Sequence, residues 1–473
     1  MPIFNTLQGE WLTYLASISL IQEVTTRDGN SQNTNTLISI LILVKLLPNV
    51  LFLPIGGILA DSYDRRKIQI VLDLCSSCVV VVFLLSLSSE SIFLCLVANF
   101  LIETSSGLYI PSNQAMLPQL FGGEDNNNSN SEKNDELKKA TVLYGMVWSV
   151  MAAFGSSLGG ILVASFGMKG CFVIDSITYL ISAAILRFGV QGNYNASPLQ
   201  RPLEAEEKEK DDPIDDSLSP SSSFSSSSYY SATSENVSLI EEQIKTGEEI
   251  PSIDLHYDPN DSGGGSGGMV LFVRGLKFLF LQEPLVGACT LLKGSAALTY
   301  GAVDVLNVSF SSRGSESDPS KTSLKLGLLF GCVGVGCILG SFITDALSDL
   351  SFPRRIVRVC LSGFSCMFVA MFWMAATPDL FASLCLSTVI RSIGSAIVWI
   401  NSTLLIQKFT PEALLGRVSS FDSGVALFAE ALSALGGGML MDQKGLSAEE
   451  LMLVLAGIAV CFFFFWSPLA FRF

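Results

Sequence analysis

A bilayer's hydrocarbon core asks for about 20 apolar residues of helix per crossing, and eleven stretches of this sequence meet or approach that length. They centre on 37–59, 68–88, 91–112, 141–165, 171–190, 285–308, 324–344, 356–376, 380–406, 415–440 and 451–471. A twelfth, 3–22, is thinner because Asn5, Thr6, Gln8 and Glu10 interrupt it. Helices this numerous and this long have no place inside a soluble chain of 473 residues. The totals agree: only 15% of residues are charged, against about 25% in ordinary usage, and the mean hydropathy is +0.49. The chain reads as an all-α integral membrane protein with two six-helix transmembrane bundles.

Between the two groups of spans, residues 191–268 are rich in Ser, Glu, Asp and Gly, with too few apolar side chains to offset the entropy of ordering them. Three regions are therefore expected: a six-helix bundle over 1–190, a disordered, acidic, Ser-rich loop over 191–268, and a second bundle over 269–473. The loop holds sixteen acidic residues against four basic ones, and so carries most of the net charge of −15. No basic patch supports nucleic-acid binding. A second polar tract, Glu124 to Glu136, separates spans four and five. Residues 269–283, with Arg274 and Lys277 near one helical face, read as an interfacial helix leading into span seven.

All eleven cysteines lie in or beside apolar spans. Cys75 and Cys78 form a C-x-x-C with no second pair beside it, and the only histidine, His256, is in the loop. Core packing is expected of these thiols rather than redox chemistry, metal binding or disulfides. The sequence holds no nucleophile–base pair, phosphate loop or metal cluster, so neither an enzyme nor a cofactor is expected.

The short loops on one side hold eleven Lys and Arg residues and those on the other hold six. The positive-inside rule then places both termini and the acidic loop in the cytoplasm. No basic leader precedes the first span, so the start does not read as a signal peptide. A truncated gene model with an incomplete first helix is expected instead, and plasma membrane and organelle, plastid included, are not distinguished.

The most specific motif is Gly57-Ile58-Leu59-Ala60-Asp61-Ser62-Tyr63-Asp64-Arg65-Arg66-Lys67, between spans two and three. Glycines 56 and 57 allow close helix approach in lipid, and an acid followed by a basic cluster sets opposite charges at the cytoplasmic mouth. A plain positive-inside loop would account for the charges alone, though not for the spacing and the placement after span two. The stretch resembles the loop 2–3 signature of the major facilitator superfamily. Gly57, Asp61, Arg66 and Lys67 match it; Ser62 stands where a base is usual and Asp64 where glycine is usual. Gly9-Glu10-Trp11-Leu12-Thr13-Tyr14, Pro111 to Pro118, and Gln407 through Gly416-Arg417-Val418-Ser419 are similar to the branch of drug and siderophore exporters. Gly155-Ser156-Ser157-Leu158-Gly159-Gly160 in span five resembles the antiporter motif with Ser156 in place of proline, and close helix packing alone would also explain it. The resemblance covers all but 122–137 and 191–268. It implies that Asp61 bridges the bundles on the cytoplasmic side near Arg417, where the start of span eleven favours an anion.

Charges inside a membrane are costly and become default candidates for function. Glu10 lies in span one, Glu103 in span four, Asp304 in span seven and Arg391 in span ten, and the resemblance implies that these four spans line a central cavity. Helical spacing puts Glu103, Gly107, Pro111 and Gln114 on one face, and Arg391, Gly394, Ser395 and Ser402 on another. Asp175 reads equally as structural or functional; Glu430 is a further intramembrane charge. Lys45, Lys293 and Asp422 are expected nearer span ends, where snorkelling or structural pairing accounts for them.

The resemblance thus implies a secondary active transporter working by alternating access. The favoured expectation is proton-coupled export of a small organic solute, with Glu103 as the proton site and Arg391 its partner across the cavity. Solute, protons and lipid are the expected partners, and one chain the working unit. A facilitator or symporter of the same fold is a second reading. A membrane scaffold or sensor using the acidic loop is a third.

Overall fold

The computed structural model describes residues 2–27, 33–121, 130–189, 279, 284–314, 318–348, 353–410, 412–468 and 470. The acidic loop and nearly all of 269–283 lie outside the described residues, as does much of the tract after Glu124. Among the described residues, twelve helical elements run in order: α1 Pro2–Arg27, α2 Thr34–Ser62, α3 Arg65–Ser89, α4 Ile92–Phe121, α5 Asn130–Phe188, α6 Pro284–Tyr300, α7 Val303–Ser312, α8 Pro319–Leu347, α9 Pro353–Ala376, α10 Phe381–Phe409, α11 Glu412–Lys444 and α12 Ala448–Trp466. Among the described residues, nine stretches are long and apolar enough to cross a bilayer. Apolar side chains such as Val71, Val81, Phe93, Phe154, Phe372 and Phe465 are exposed on their outer faces, where lipid rather than water is the matching solvent.

The helices begin and end for local reasons. Asp64 accepts the Arg66 backbone N–H at 3.1 Å and caps α3, which gives the residue in the glycine position of the loop signature a structural task. Asp318 accepts from Ser320 and Lys321 at the start of α8, next to Pro319 at the first helical position. Those bonds, the Lys321 backbone N–H foremost, hold the Asp318 carboxyl below its ordinary range. Ser447 and Glu450 close a reciprocal capping box at α12.

Two expected spans are built differently. Spans five and six are arms of the single element α5, parted at Gly167 (φ 68, ψ 176) instead of by a multi-residue loop. Only glycine takes that backbone conformation without strain. Span seven, expected as one helix, is broken into α6 and α7 at Gly301 and Ala302. A Cβ at Gly301 would lie 2.5 Å from the carbonyl oxygen of Glu430 and 2.9 Å from its Cα. The α11 backbone thus presses on the break, and the Ala302 N–H donates to Ser433 Oγ at 3.0 Å. A neighbouring helix satisfies the freed group, which is what a break at membrane depth requires.

The halves repeat one packing scheme. α2 and α3 pack on α4, and α3 on the second arm of α5; correspondingly α8 and α9 pack on α10, and α9 on α12. α1 packs on α5 as α6 does on α11. The halves meet along α5–α8 and α2–α11. A Cβ at Gly160 would sit 2.7 Å from the Ser323 carbonyl oxygen and 3.0 Å from Gly327 Cα, so α5 and α8 touch backbone to backbone. Gly155 and Gly159 instead face Trp11 and Leu15 of α1.

The cysteine expectation is corrected in part. Cys95, Cys171, Cys289 and Cys360 are buried, but Cys75, Cys78 and Cys461 are exposed. On α3 the buried face runs through Gln69, Asp73, Ser76, Val80 and Phe83, and positions 75 and 78 fall on other faces.

Candidate functional site

Four charged clusters lie deep between the helices. In the first half, Lys45 Nζ of α2 stands 3.1 Å from Glu103 Oε1 of α4 and 4.3 Å from the centre of the Tyr14 ring of α1. Asn49, one helical turn from Lys45, donates to the other Glu103 oxygen at 3.0 Å. Glu103 is thus held by an ammonium and an amide. In this conformation its partners are Lys45 and Asn49, not the expected Arg391. The Lys45–Asn49 spacing of four residues was the available sequence signal.

In the second half, Arg391 of α10 is buried at 3% exposure and donates to Ser392 at 3.1 Å, while its Nε has no hydrogen-bond partner. Its electrostatic neighbours include the carboxylates Asp304 and Glu430. The break in span seven brings these together. Asp304 sits in the first turn of α7, where a helix N-terminus favours an anion, and the Glu430 backbone abuts Gly301. Lys45 acts on both carboxylates from across the interface.

The third cluster is Lys293 and Asp422, 2.5 Å apart and both buried. Lys293 also donates to Thr403 at 3.0 Å and lies 4.4 Å from the Trp399 ring centre. The expected pairing exists, but the snorkelling does not: both side chains are closed off inside the second bundle. The fourth is Asp175, fully buried, which accepts hydrogen bonds from Thr13 of α1 and from Thr178 at 3.4 Å. Trp11, Tyr14 and Phe330 form an aromatic group where α1 meets α8, with ring centres 5.5 to 6.1 Å apart.

Two of the expected cavity-lining glycines serve packing. A Cβ at Gly107 would sit 3.2 Å from Asn49 Cα, and one at Gly394 would sit 2.5 Å from the Gly363 carbonyl oxygen. Helical spacing alone cannot tell a cavity from a close neighbour. The surroundings of Gly57 and the side chains of Glu10, Asp61, Gln114 and Arg417 lie outside what the structure describes. Of the loop signature, Arg65 is buried and Lys67 exposed, pairing with Asp64 at 3.7 Å. Arg66 donates to the Leu186 carbonyl at 2.7 Å and the Arg187 carbonyl at 2.5 Å. Those carbonyls end the second arm of α5, where a cation suits the helix dipole.

The far end of the interface carries a contact that the sequence did not suggest. Asp442, near the end of α11, accepts the Thr36 backbone N–H at 2.6 Å and the Asn35 amide at 2.8 Å. Ser309 of α7 donates to Asn35 Oδ1 at 3.2 Å. With more than 400 residues between the partners, no local pattern reveals them.

Two pseudo-repeated helical halves, meeting around buried charges and a broken helix at membrane depth, define a multi-pass membrane transporter. The sequence pattern of the Major Facilitator Superfamily matches residues 9–284 and 292–472, and the chain belongs to that superfamily. Two relatives from Bacillus subtilis (strain 168) are similar to it, the uncharacterized MFS-type transporters YkuC and YfiS. YkuC is 23% identical over 141 residues, 30% of each chain; YfiS is 25% identical over 183 residues, 38% of each. The matched stretches thus span only 30% and 38% of those relatives' length. Among solved structures, a variant of the nucleoside transporter NupG superposes with a TM-score of 0.60 at 10% identity, covering 99% of this chain and 98% of that one. An auto-inhibited POT family peptide transporter gives 0.59 at 14% identity, covering 100% and 96%. Both likenesses concern the fold.

Proposed function

We propose that this transporter exports a small organic solute by alternating access, coupled to protons, in the manner of the drug and siderophore exporters that its sequence resembles. One observation carries the coupling: Asp304 and Glu430 both lie in the field of one guanidinium, Arg391, deep in the second half, with Lys45 acting less strongly from across the interface. Glu103 is already balanced by Lys45 at 3.1 Å. One negative charge is therefore left over in a medium that penalises it. A proton neutralises the set when the site is empty of solute. An entering solute whose positive group pairs with one carboxylate restores the balance without the proton and drives the proton off.

The proton site thus moves from Glu103 to the Asp304–Glu430 pair. The Lys45–Glu103 pair would hold α2 to α4 and tune the field across the interface. The aromatic group of Trp11, Tyr14 and Phe330 offers a flat apolar surface for an organic solute. At the cytoplasmic mouth, Asp61 with Arg417 would close the path when the opposite end opens.

The experiment is reconstitution into proteoliposomes with an imposed pH gradient, screened against lipophilic drugs, siderophores and lipids. The reading expects at least one solute to move against its gradient only while the pH gradient lasts. A solute that equilibrates without responding to pH would mark a facilitator. If no solute moves, the scaffold reading takes its place.

A further inference from the structure

A second polar site lies inside the first bundle, away from the charges at the interface. The buried face of α3 carries Arg65, Gln69, Asp73 and Ser76, a spacing of four, four and three residues that stacks them on one side of the helix. The ladder rises about 16 Å from the basic end of the bundle. Against it lie Ser105, Ser106 and Tyr109 of α4 and Tyr179 of the second arm of α5. With Asp73 and Ser76, and with Leu72 and Ile102 as its apolar part, these line a crevice with room for about one water-sized particle.

The polar atoms around it are incompletely satisfied. Asp73 is 1% exposed and accepts from Ser182, but its Oδ2 has no partner. Gln69, one helical turn from Asp73 and just outside the crevice lining, is fully buried with neither amide atom bonded. Buried polar atoms left in this way call for an explanation, and a carboxylate at this depth calls for a counter-charge. Neighbouring charges do not supply it. Glu103 faces Lys45, Asp175 faces Thr13, and Arg66 is spent on the carbonyls ending α5. Arg65 is eight residues away along α3, about 12 Å. Tyr109 and Tyr179 are the other titratable groups lining the crevice.

We propose that this crevice between α3, α4 and the second arm of α5 binds one monovalent cation: sodium, coordinated by Asp73 and hydroxyl oxygens with the unbonded Gln69 amide one turn away turning toward it, or a proton on Asp73 in its place. Hard oxygen donors around a space of this size suit sodium, and each cation neutralises the same carboxylate. The two compete, so sodium entry releases a proton. The site is separate from the Asp304–Glu430 pair and stands whether or not that pair couples transport.

The test is binding of radioactive sodium to the full-length protein purified in detergent, with a carboxyl infrared difference spectrum recorded between acid and alkaline buffer. Saturable binding of one sodium per chain, weakened at least tenfold in Asp73→Asn and also weakened in Gln69→Leu, supports the site with sodium as the ion. No sodium binding, but a carboxyl band that titrates, vanishes in Asp73→Asn and shifts in Gln69→Leu, supports it with the proton. Both variants are first checked as monodisperse; Ser76→Ala replaces any that aggregates and is expected to weaken sodium binding or shift the band. Sodium bound equally well by the variants, or neither sodium nor a titrating Asp73 band, overturns the proposal and leaves a hydrated structural crevice.

Discussion

Asp442 caps the first turn of α2 from the other half of the molecule, its carboxylate accepting the Thr36 N–H at 2.6 Å and the Asn35 amide at 2.8 Å. The cap that α2 lacks from its own Asn33 comes from α11. An anion at a helix N-terminus is favourable through both hydrogen bonds and dipole, and here the favourable contact exists only while the halves touch at this end. The loop signature implies the reciprocal contact at the basic end, with Asp61 of α2 at the start of α11. The two ends would then exchange locks as the halves rock.

Asp442→Ala should weaken the lock by about 1–2 kcal/mol, the usual worth of a side-chain cap. That corresponds to a shift of about five- to thirtyfold toward the state open at this end. Maleimide labelling of a Ser19→Cys reporter, read by site-specific mass spectrometry, should accelerate accordingly. Unchanged labelling would mean that the contact follows closure without stabilising it.

The Lys45–Glu103 pair gives a stability prediction. Removing one partner of a buried pair leaves the other uncompensated, at a cost of about 3–5 kcal/mol, whereas replacing both by apolar residues is often nearly neutral. Glu103→Leu and Lys45→Met should each lower the melting temperature in detergent, and the double variant should recover most of the loss. A double variant as unstable as the sum of the singles would show that the two act separately.

Backbone contact between α5 and α8 predicts sensitivity to single methyl groups. At Gly160 an added Cβ meets Ser323 O at 2.7 Å, while at Gly424 the nearest atom is Val50 Cγ1 at 3.9 Å. Gly160→Ala should cost about 1–3 kcal/mol in overpacking and speed Ser19→Cys labelling by parting the halves. Gly424→Ala is the control expected to leave both unchanged.

The cap at α8 sets an acid limit. Because the Asp318 carboxyl is held below its ordinary range, its contribution is present above the unfolded value of about 3.9 and is lost as pH falls through the lower folded value. Asp318→Asn should lower the neutral part of the thermal stability profile and converge on wild type at acid pH, so that the acid limb flattens. An acid limb identical to wild type would contradict the cap assignment.

Length and apolarity made the spans legible, because a bilayer imposes a length that composition records directly. The break at Gly301 was not legible: the chain has 40 glycines, and what selects this one is the approach of Glu430 and Ser433 from 130 residues away. Charged candidates were found by depth, but their partners were not. In this conformation Glu103 meets Lys45 of the same half, whereas the sequence suggested Arg391 of the other. Asp73 was passed over as one acid early in an apolar span. The spacing of Arg65, Gln69, Asp73 and Ser76 was the missed signal.

The central claim is that the carboxylate pair at the break in span seven couples solute to protons, and solute-triggered pH change inside weakly buffered proteoliposomes tests it most directly. With a solute that moves, the wild type should show a proton flux opposite in direction to the solute. Glu430→Gln, which fixes one carboxylate in its neutral form, should abolish that flux while still permitting solute exchange across membranes without a gradient. A wild-type proton signal persisting undiminished in both Glu430→Gln and Asp304→Asn would contradict the account.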